Sequence, residues 1–240
     1  MKALLAQVRT ELTLTARNGE QLLVSLFIPL GVLIFLSKVN VIDLGRYDRV
    51  AVVAPAVLAL AVMSTAMVSL GIGTGFERHY GVLKRLGATP LGRPRWIAAK
   101  FLAVLAIECL QWIVLVGAAL ALGWSPSGGW ALAVAAAMVG TAAFGGLGLS
   151  LAGSLPALVN LALCNGLYVV LVMTGDIVFR AGSLPGPIET IARLLPAAPL
   201  VDVISAALDT GHTVHAGSWP TLLVWAIVGP IVAATSFRWQ

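Results

Sequence analysis

Charge is scarce in this chain: Lys, Arg, Asp and Glu make up 10% of its 240 residues, against about 25% in soluble domains. Cysteine is scarcer, with only Cys109 and Cys164, each inside an apolar run, so the sequence can build neither a disulfide framework nor a cysteine metal site. The sequence contains no GxxxxGK[ST] phosphate loop, no HExxH, no GxSxG and no pair of intramembrane aspartates. ATP hydrolysis by the chain itself and the common membrane-hydrolase chemistries therefore lack their reactive groups. No aromatic and basic patch accompanies the net charge of +5, which removes nucleic acid as the reason for it. Residues 1–20 mix polar with apolar side chains and lack a short apolar core before a small-residue cleavage site, so they do not read as a cleaved signal peptide.

What the chain has in abundance is apolar surface. Its 59% hydrophobic content lies well above the roughly 45–50% of soluble domains, and its mean hydropathy is +0.97. The expected fold is an all-α integral membrane protein in one domain, 1–240, with six transmembrane helices over about 22–37, 50–73, 97–122, 130–154, 157–179 and 219–236. An amphipathic interfacial helix over 1–20 precedes them: Leu4, Leu5, Val8, Leu12 and Ala16 share one arc, and Lys2, Arg9, Thr13, Arg17 and Glu20 the other. Region 180–218 is broken by Pro185, Pro187, Pro196 and Pro199 into pieces too short to cross, which predicts re-entrant half-helices on the outer side. Six spans put both termini in the cytosol, with ten Lys and Arg inside and five outside, the sense of the positive-inside rule. Eleven Arg against four Lys, with abundant Ala and Gly, points to a G+C-rich bacterium and so to its cytoplasmic membrane.

Small residues and rare polar ones mark the interior. Gly71 to Gly75 has the GxxxG spacing, and Ala142, Gly146, Ser150 and Ser154 recur every four residues; both patterns let helix backbones touch. Glu108 and Gln111 lie three apart in the third span, and an ionised carboxylate at that depth costs about 2.5–3.5 kcal/mol unless it faces protein or water. Asn165, Tyr168, Val172 and Asp176 fall at i, i+3, i+7 and i+11 of the fifth span. Glu108, Gln111, Asn165, Tyr168 and Asp176 are thus candidates for a translocation pathway, with buried hydrogen bonds between spans as the alternative. His212 and His215 lack further ligands at their spacing and read as a solvated outer loop.

The segment that fixes the topology is 76–96, a cytosolic loop dense in Arg and Lys between the second and third spans. Good helix formers from Glu77 to Leu86 predict one short helix, ended by the Thr89-Pro90 step. In order and spacing, Glu77-Arg78, Gly81, Leu83, Leu86, Thr89-Pro90-Leu91, Arg93 and Lys100 resemble the cytoplasmic signature of ABC-2 type transporter permeases. Val82 replaces a common threonine of that signature, and His79 and Lys84 replace common acidic residues.

The resemblance implies a permease subunit that hydrolyses no ATP of its own and binds no cofactor. ATP and Mg2+ would sit on two separate ABC ATPase subunits, docked at Glu77, Arg78, Gly81, Leu83, Lys84, Arg85, Leu86, Thr89 and Pro90, and a second permease, identical or related, would complete the pathway. Export is the family's usual direction. The size and the small loops resemble compact permeases for anthracyclines or fluoroquinolones, so drug efflux is the expected role. A permease for lipid or polysaccharide precursors, an integral membrane enzyme and an ATPase-recruiting anchor are the alternatives.

Overall fold

The computed structural model describes residues 2–39, 49–87, 92–177, 185–209 and 211–237, and those residues are all helix, turn and loop. In chain order the helices are α1 (Lys2–Arg17), α2 (Gly19–Lys38), α3 (Arg49–Met63), a π-helical stretch (Ser64–Ser69), α4 (Leu70–His79), α5 (Val82–Gly87), α6 (Arg93–Ala121), α7 (Trp130–Ser154), α8 (Ala157–Thr174), α9 (Gly186–Leu194), α10 (Ala197–Leu208) and α11 (Ser218–Ser236). Among the described residues five helical rods are long and apolar enough to cross a membrane: Arg49–His79, α6, α7, α8 and α11. The chain is an all-α, multi-pass membrane protein. The apolar part of α2, Ser25–Lys38, is shorter than these five. The helices α9 and α10 form a pair bent by 78°, broken at Leu195–Pro196 because a proline there can neither donate a hydrogen bond nor continue the preceding turn.

The rod Arg49–His79 and α7 form the centre. Every residue of α3 from Val53 to Met63 is buried, as are Gly145, Gly146, Gly148 and Leu149 of α7. Contact is close because the small residues of the sequence pattern meet one another. A Cβ built on Gly148 would stand 2.6 Å from the Met67 carbonyl oxygen, and one on Gly71 would stand 3.0 Å from Gly148 Cα. On the other side of α7, a Cβ on Gly146 would stand 2.3 Å from the Gly229 carbonyl carbon of α11. Such contacts replace the hydrophobic drive that lipid does not supply. The π-helical stretch widens the rod where Met67 meets Gly148, and its Thr65 hydroxyl donates to Gln111 Oε1 of α6 at 2.9 Å.

Two helices depart from the sequence expectation. The expected helix from Glu77 to Leu86 is divided: α4 runs through His79, the chain turns at Tyr80-Gly81, and α5 starts at Val82. Gly81, at φ +71°, takes the left-handed conformation that glycine adopts without a Cβ penalty. The fifth span ends at Thr174, where 179 was expected. Asp176 beyond it has φ +58° and so cannot continue the helix. Expectations over 40–48, 88–91 and 178–184, which include Thr89, Pro90 and Leu91, lie outside the described residues.

If glycine contact holds α7 in place, a single methyl distinguishes two positions. Gly146→Ala is expected to cost about 1–3 kcal/mol by overpacking, whereas Gly166→Ala, which meets nothing within 4 Å, stays within about 0.5 kcal/mol of wild type. Thermal unfolding of the two variants in one detergent measures the difference.

Candidate functional site

At the end of the bundle that carries the central basic segment, Lys100 of α6 is buried, with 5% of its surface exposed. A buried ammonium is tolerated only when its charge and its N–H groups are matched. Lys100 Nζ donates to Glu11 Oε2 of α1 at 2.7 Å and to Glu77 Oε1 at the end of α4. It also lies 5.7 Å from the Trp96 ring centroid, one turn earlier on α6, within reach of cation–π attraction. Glu11 Oε1 accepts from Gln7 Nε2 at 2.8 Å, and Glu77 Oε2 is buried with no hydrogen-bond partner among the described residues. One cation thus joins three helices that are far apart in sequence. Beside it, Arg78 Nη1 donates to the Ala152 carbonyl of α7 at 2.7 Å, bringing in a fourth. Glu11, Glu77 and Lys100 line a cavity of about 200 Å³ whose other walls include Asn18, Thr65, Ser69 and Thr74.

The sequence pattern of α1 hides this role. Leu4, Val8, Glu11 and Thr15 follow one another at i, i+4, i+7 and i+11, and this stripe is the side turned to the bundle, while Leu5 and Leu14 are exposed. Glu11 was on neither arc of the expected amphipathic helix. The helix is clasped to α6 by a buried ion pair in addition to any contact with the membrane surface.

The residues of the expected coupling segment divide into two sets. Glu77 and Arg78 point inward, to Lys100 and to Ala152. On α5, Leu83 is fully buried and Leu86 half-buried, and Val82, Lys84 and Arg85 are exposed. Leu83 anchors the short helix, and Lys84 and Arg85 are left facing outward.

The intramembrane candidates also separate. Glu108 and Gln111 are both buried on α6 but serve different neighbours. Thr141 of α7 donates to Glu108 Oε2 at 2.7 Å. Gln111 accepts from Thr65 and donates through Nε2 to the Ser25 carbonyl of α2 at 3.0 Å, tying α2, the π-helical stretch and α6 together. On α8, Asn165, Tyr168 and Val172 keep the expected helical spacing, on a side that is not the buried one. Asn165 is exposed and bonds its own helix at Leu161, Tyr168 is half-buried, and Asp176 lies past the helix end. Burial pushes the Asp176 carboxyl up to about 6, against the opposing pull of Arg193. The buried stripe of α8 is instead Ala157, Asn160, Cys164 and Leu171, in which Asn160 Nδ2 donates to the Gly71 carbonyl at 2.9 Å.

Comparison with known protein families decides what this architecture is. Residues 2–208 match the family described as ABC-2 type transporter. The chain belongs to the ABC-2 type transporter family. A search of curated proteins found no match. The matched span covers the ion cluster, α5, the central helices and the bent pair, and it makes this chain the membrane component, or permease, of a transporter.

The end of the permease opposite the ion cluster holds an arrangement that the sequence reading missed. Asp202 of the bent pair is buried and is the hub of four contacts. His212 Nε2 lies 2.8 Å from Oδ1 and His215 Nδ1 lies 3.3 Å from it, while the His215 amide donates to Oδ2 at 2.9 Å and the Ser218 hydroxyl at 2.6 Å. His212 and His215, expected as a solvated loop, therefore fasten the segment before α11 onto α10. Asp202 gave no signal in the sequence because it sits in an apolar run whose partners begin ten residues later.

The ion cluster makes a prediction about stability. Lys100→Met leaves the buried Glu11 and the half-buried Glu77 without their cation and should cost about 3–5 kcal/mol, whereas Lys84→Met, at an exposed position, should stay within about 0.5 kcal/mol. Adding Glu11→Gln and Glu77→Gln to Lys100→Met should recover part of the loss. Thermal unfolding in detergent measures all three, and equal effects at Lys84 and Lys100 would contradict the cluster's structural role.

Proposed function

We propose that this permease works in an ATP-driven exporter of hydrophobic or amphipathic small molecules, with drug efflux as its role. Two separate ABC ATPase subunits supply hydrolysis, and a second permease, identical or related, completes the pathway in a bacterial cytoplasmic membrane with both termini in the cytosol. The observation that carries this reading is the division of the coupling segment. An exposed basic helix, α5, is hinged at Gly81 to a rod whose end is ion-paired to α1 and α6.

In this mechanism Val82, Lys84 and Arg85 meet the ATPase, and Leu83 and Leu86 hold α5 to the permease. A displacement of α5 on ATPase closure reaches Glu77 within one turn. Because Lys100 is shared by Glu77 and Glu11, α4, α6 and α1 move as a unit, and the bundle switches between inward-open and outward-open states. The cargo class is supported by the cavities. One of about 530 Å³ lies among Trp96, Ile97, Phe101, Leu149, Pro230 and Phe237, and one of about 300 Å³ lies between α6 and α7; both have mostly apolar walls. Such walls suit a molecule that partitions from the bilayer better than they suit a polysaccharide, whose hydroxyls would go unpaired.

Co-purification with the ABC ATPases of the same organism, each co-expressed with the tagged chain, tests the proposal. Lys84→Glu/Arg85→Glu should reduce association at least tenfold with the permease's unfolding temperature unchanged. Glu77→Gln should keep association and lose cargo-stimulated hydrolysis in lipid. If no ATPase associates, or the double charge reversal has no effect on association, the proposed coupling through α5 is wrong.

A further inference from the structure

The cavity between α6 and α7 contains an unusual pairing of groups. Glu108 lies near the middle of α6, about 20 Å along the axis from either end at 1.5 Å per residue, and is 4% exposed. Its Oε2 is occupied by Thr141, and its Oε1 is buried with no hydrogen-bond partner among the described residues. The cavity it lines holds about 300 Å³, and the other walls are Leu105, Cys109, Trp112, Ile113, Val116, Trp130, Val134, Ala137 and Met138. None of these walls is cationic. Ile113, Val134 and Met138 are exposed at the rim, so the cavity opens sideways from the bundle.

A buried acceptor oxygen with no donor bears its full desolvation penalty, larger for a charged group, and a carboxylate at membrane depth calls for a positive or donating partner. Among the described residues a donor reaches one oxygen only. Trp112 is pinned by its Nε1–H to the Leu58 carbonyl at 3.3 Å, so that donor is engaged away from Oε1, and the Trp130 ring packs edge-on to Trp124 with centroids 6.0 Å apart. Both rings remain as walls of the kind that attract organic cations.

We propose that this lateral cavity is a binding site for a compact lipophilic amine, whose ammonium meets Glu108 and whose hydrocarbon body fills the space between α6 and α7. The depth of Glu108 selects against a lipid headgroup amine, which resides at the interface, well away from the bilayer middle. The proposal deepens the transport reading by naming a cargo class and rests on that reading for its purpose. The site itself is a matter of binding, and binding is measured without an ATPase.

The test uses the full-length permease in phosphatidylcholine nanodiscs, with empty nanodiscs as the background for partitioning. The probes are 1-adamantanamine and its neutral analogue 1-adamantanol, followed by equilibrium dialysis with isotopic label. Saturable binding of the amine at least tenfold tighter than that of the alcohol is expected, with the difference abolished in Glu108→Gln. Ile113→Trp, which fills the exposed rim and leaves Glu108 in place, should also abolish amine binding and remains informative if Glu108→Gln does not fold. Equal binding of amine and alcohol, or amine binding unchanged in Glu108→Gln, would reduce Glu108 to an internal hydrogen bond with Thr141 and overturn the site. Suppression of amine binding by added phosphatidylethanolamine would assign the cavity to a lipid amine and overturn the small-molecule assignment. Failure of ATPase association in the preceding experiment leaves these outcomes untouched, so the two readings fail separately.

Discussion

A buried lysine organises the basic end of this permease. Two carboxylates meet the Lys100 ammonium, one from α1 and one from the end of α4. Ion pairs buried in this way add little net stability compared with an apolar substitute, but breaking one strands the remaining charges. The constraint fixes which elements stay together. The amphipathic first helix, the rod that leads to α5 and the start of α6 share one cation, and Arg78 adds the end of α7. In the proposed mechanism this junction is what carries a displacement of α5 into the bundle.

Away from that junction the bundle is held by small residues. Gly71, Gly146, Gly148 and Gly229 bring backbones into contact around α7, where an added methyl would overlap main-chain atoms. Polar side chains supply the directional links: Gln111 among α2, α6 and the π-helical stretch, Asn160 from α8 to α4, and Asp202 from the bent pair to the segment before α11. Glu108 differs from these in having an oxygen left over.

Patterns that depend on neighbours in sequence were legible from the sequence. Hydropathy located the long helices, prolines marked the bent pair, and four-residue spacing of small side chains identified α7 as a closely packed helix. Partners were not legible. Periodicity says which residues share a face but not what that face meets, so Glu11, Asn160 and Asp202 passed unnoticed although each makes a buried contact. The stripe in the fifth span shows a second limit: Asn165 and Tyr168 share α8, but the helix stops at Thr174, short of Asp176, and its buried side is another one. Glu77 and Arg78 were recognisable by resemblance, yet only coordinates reveal that they face inward while Lys84 and Arg85 face out.

The most direct measurement of the Lys100 junction is amide hydrogen exchange on the permease in nanodiscs, comparing wild type with Glu11→Ala. If the ion pair clasps α1 to the bundle, the amides of α1 should be protected in wild type and exchange markedly faster in the variant, with α7 and α11 unchanged. Equal exchange of α1 in the two proteins would mean that the membrane surface alone holds this helix, and that the shared cation does not unite the three elements.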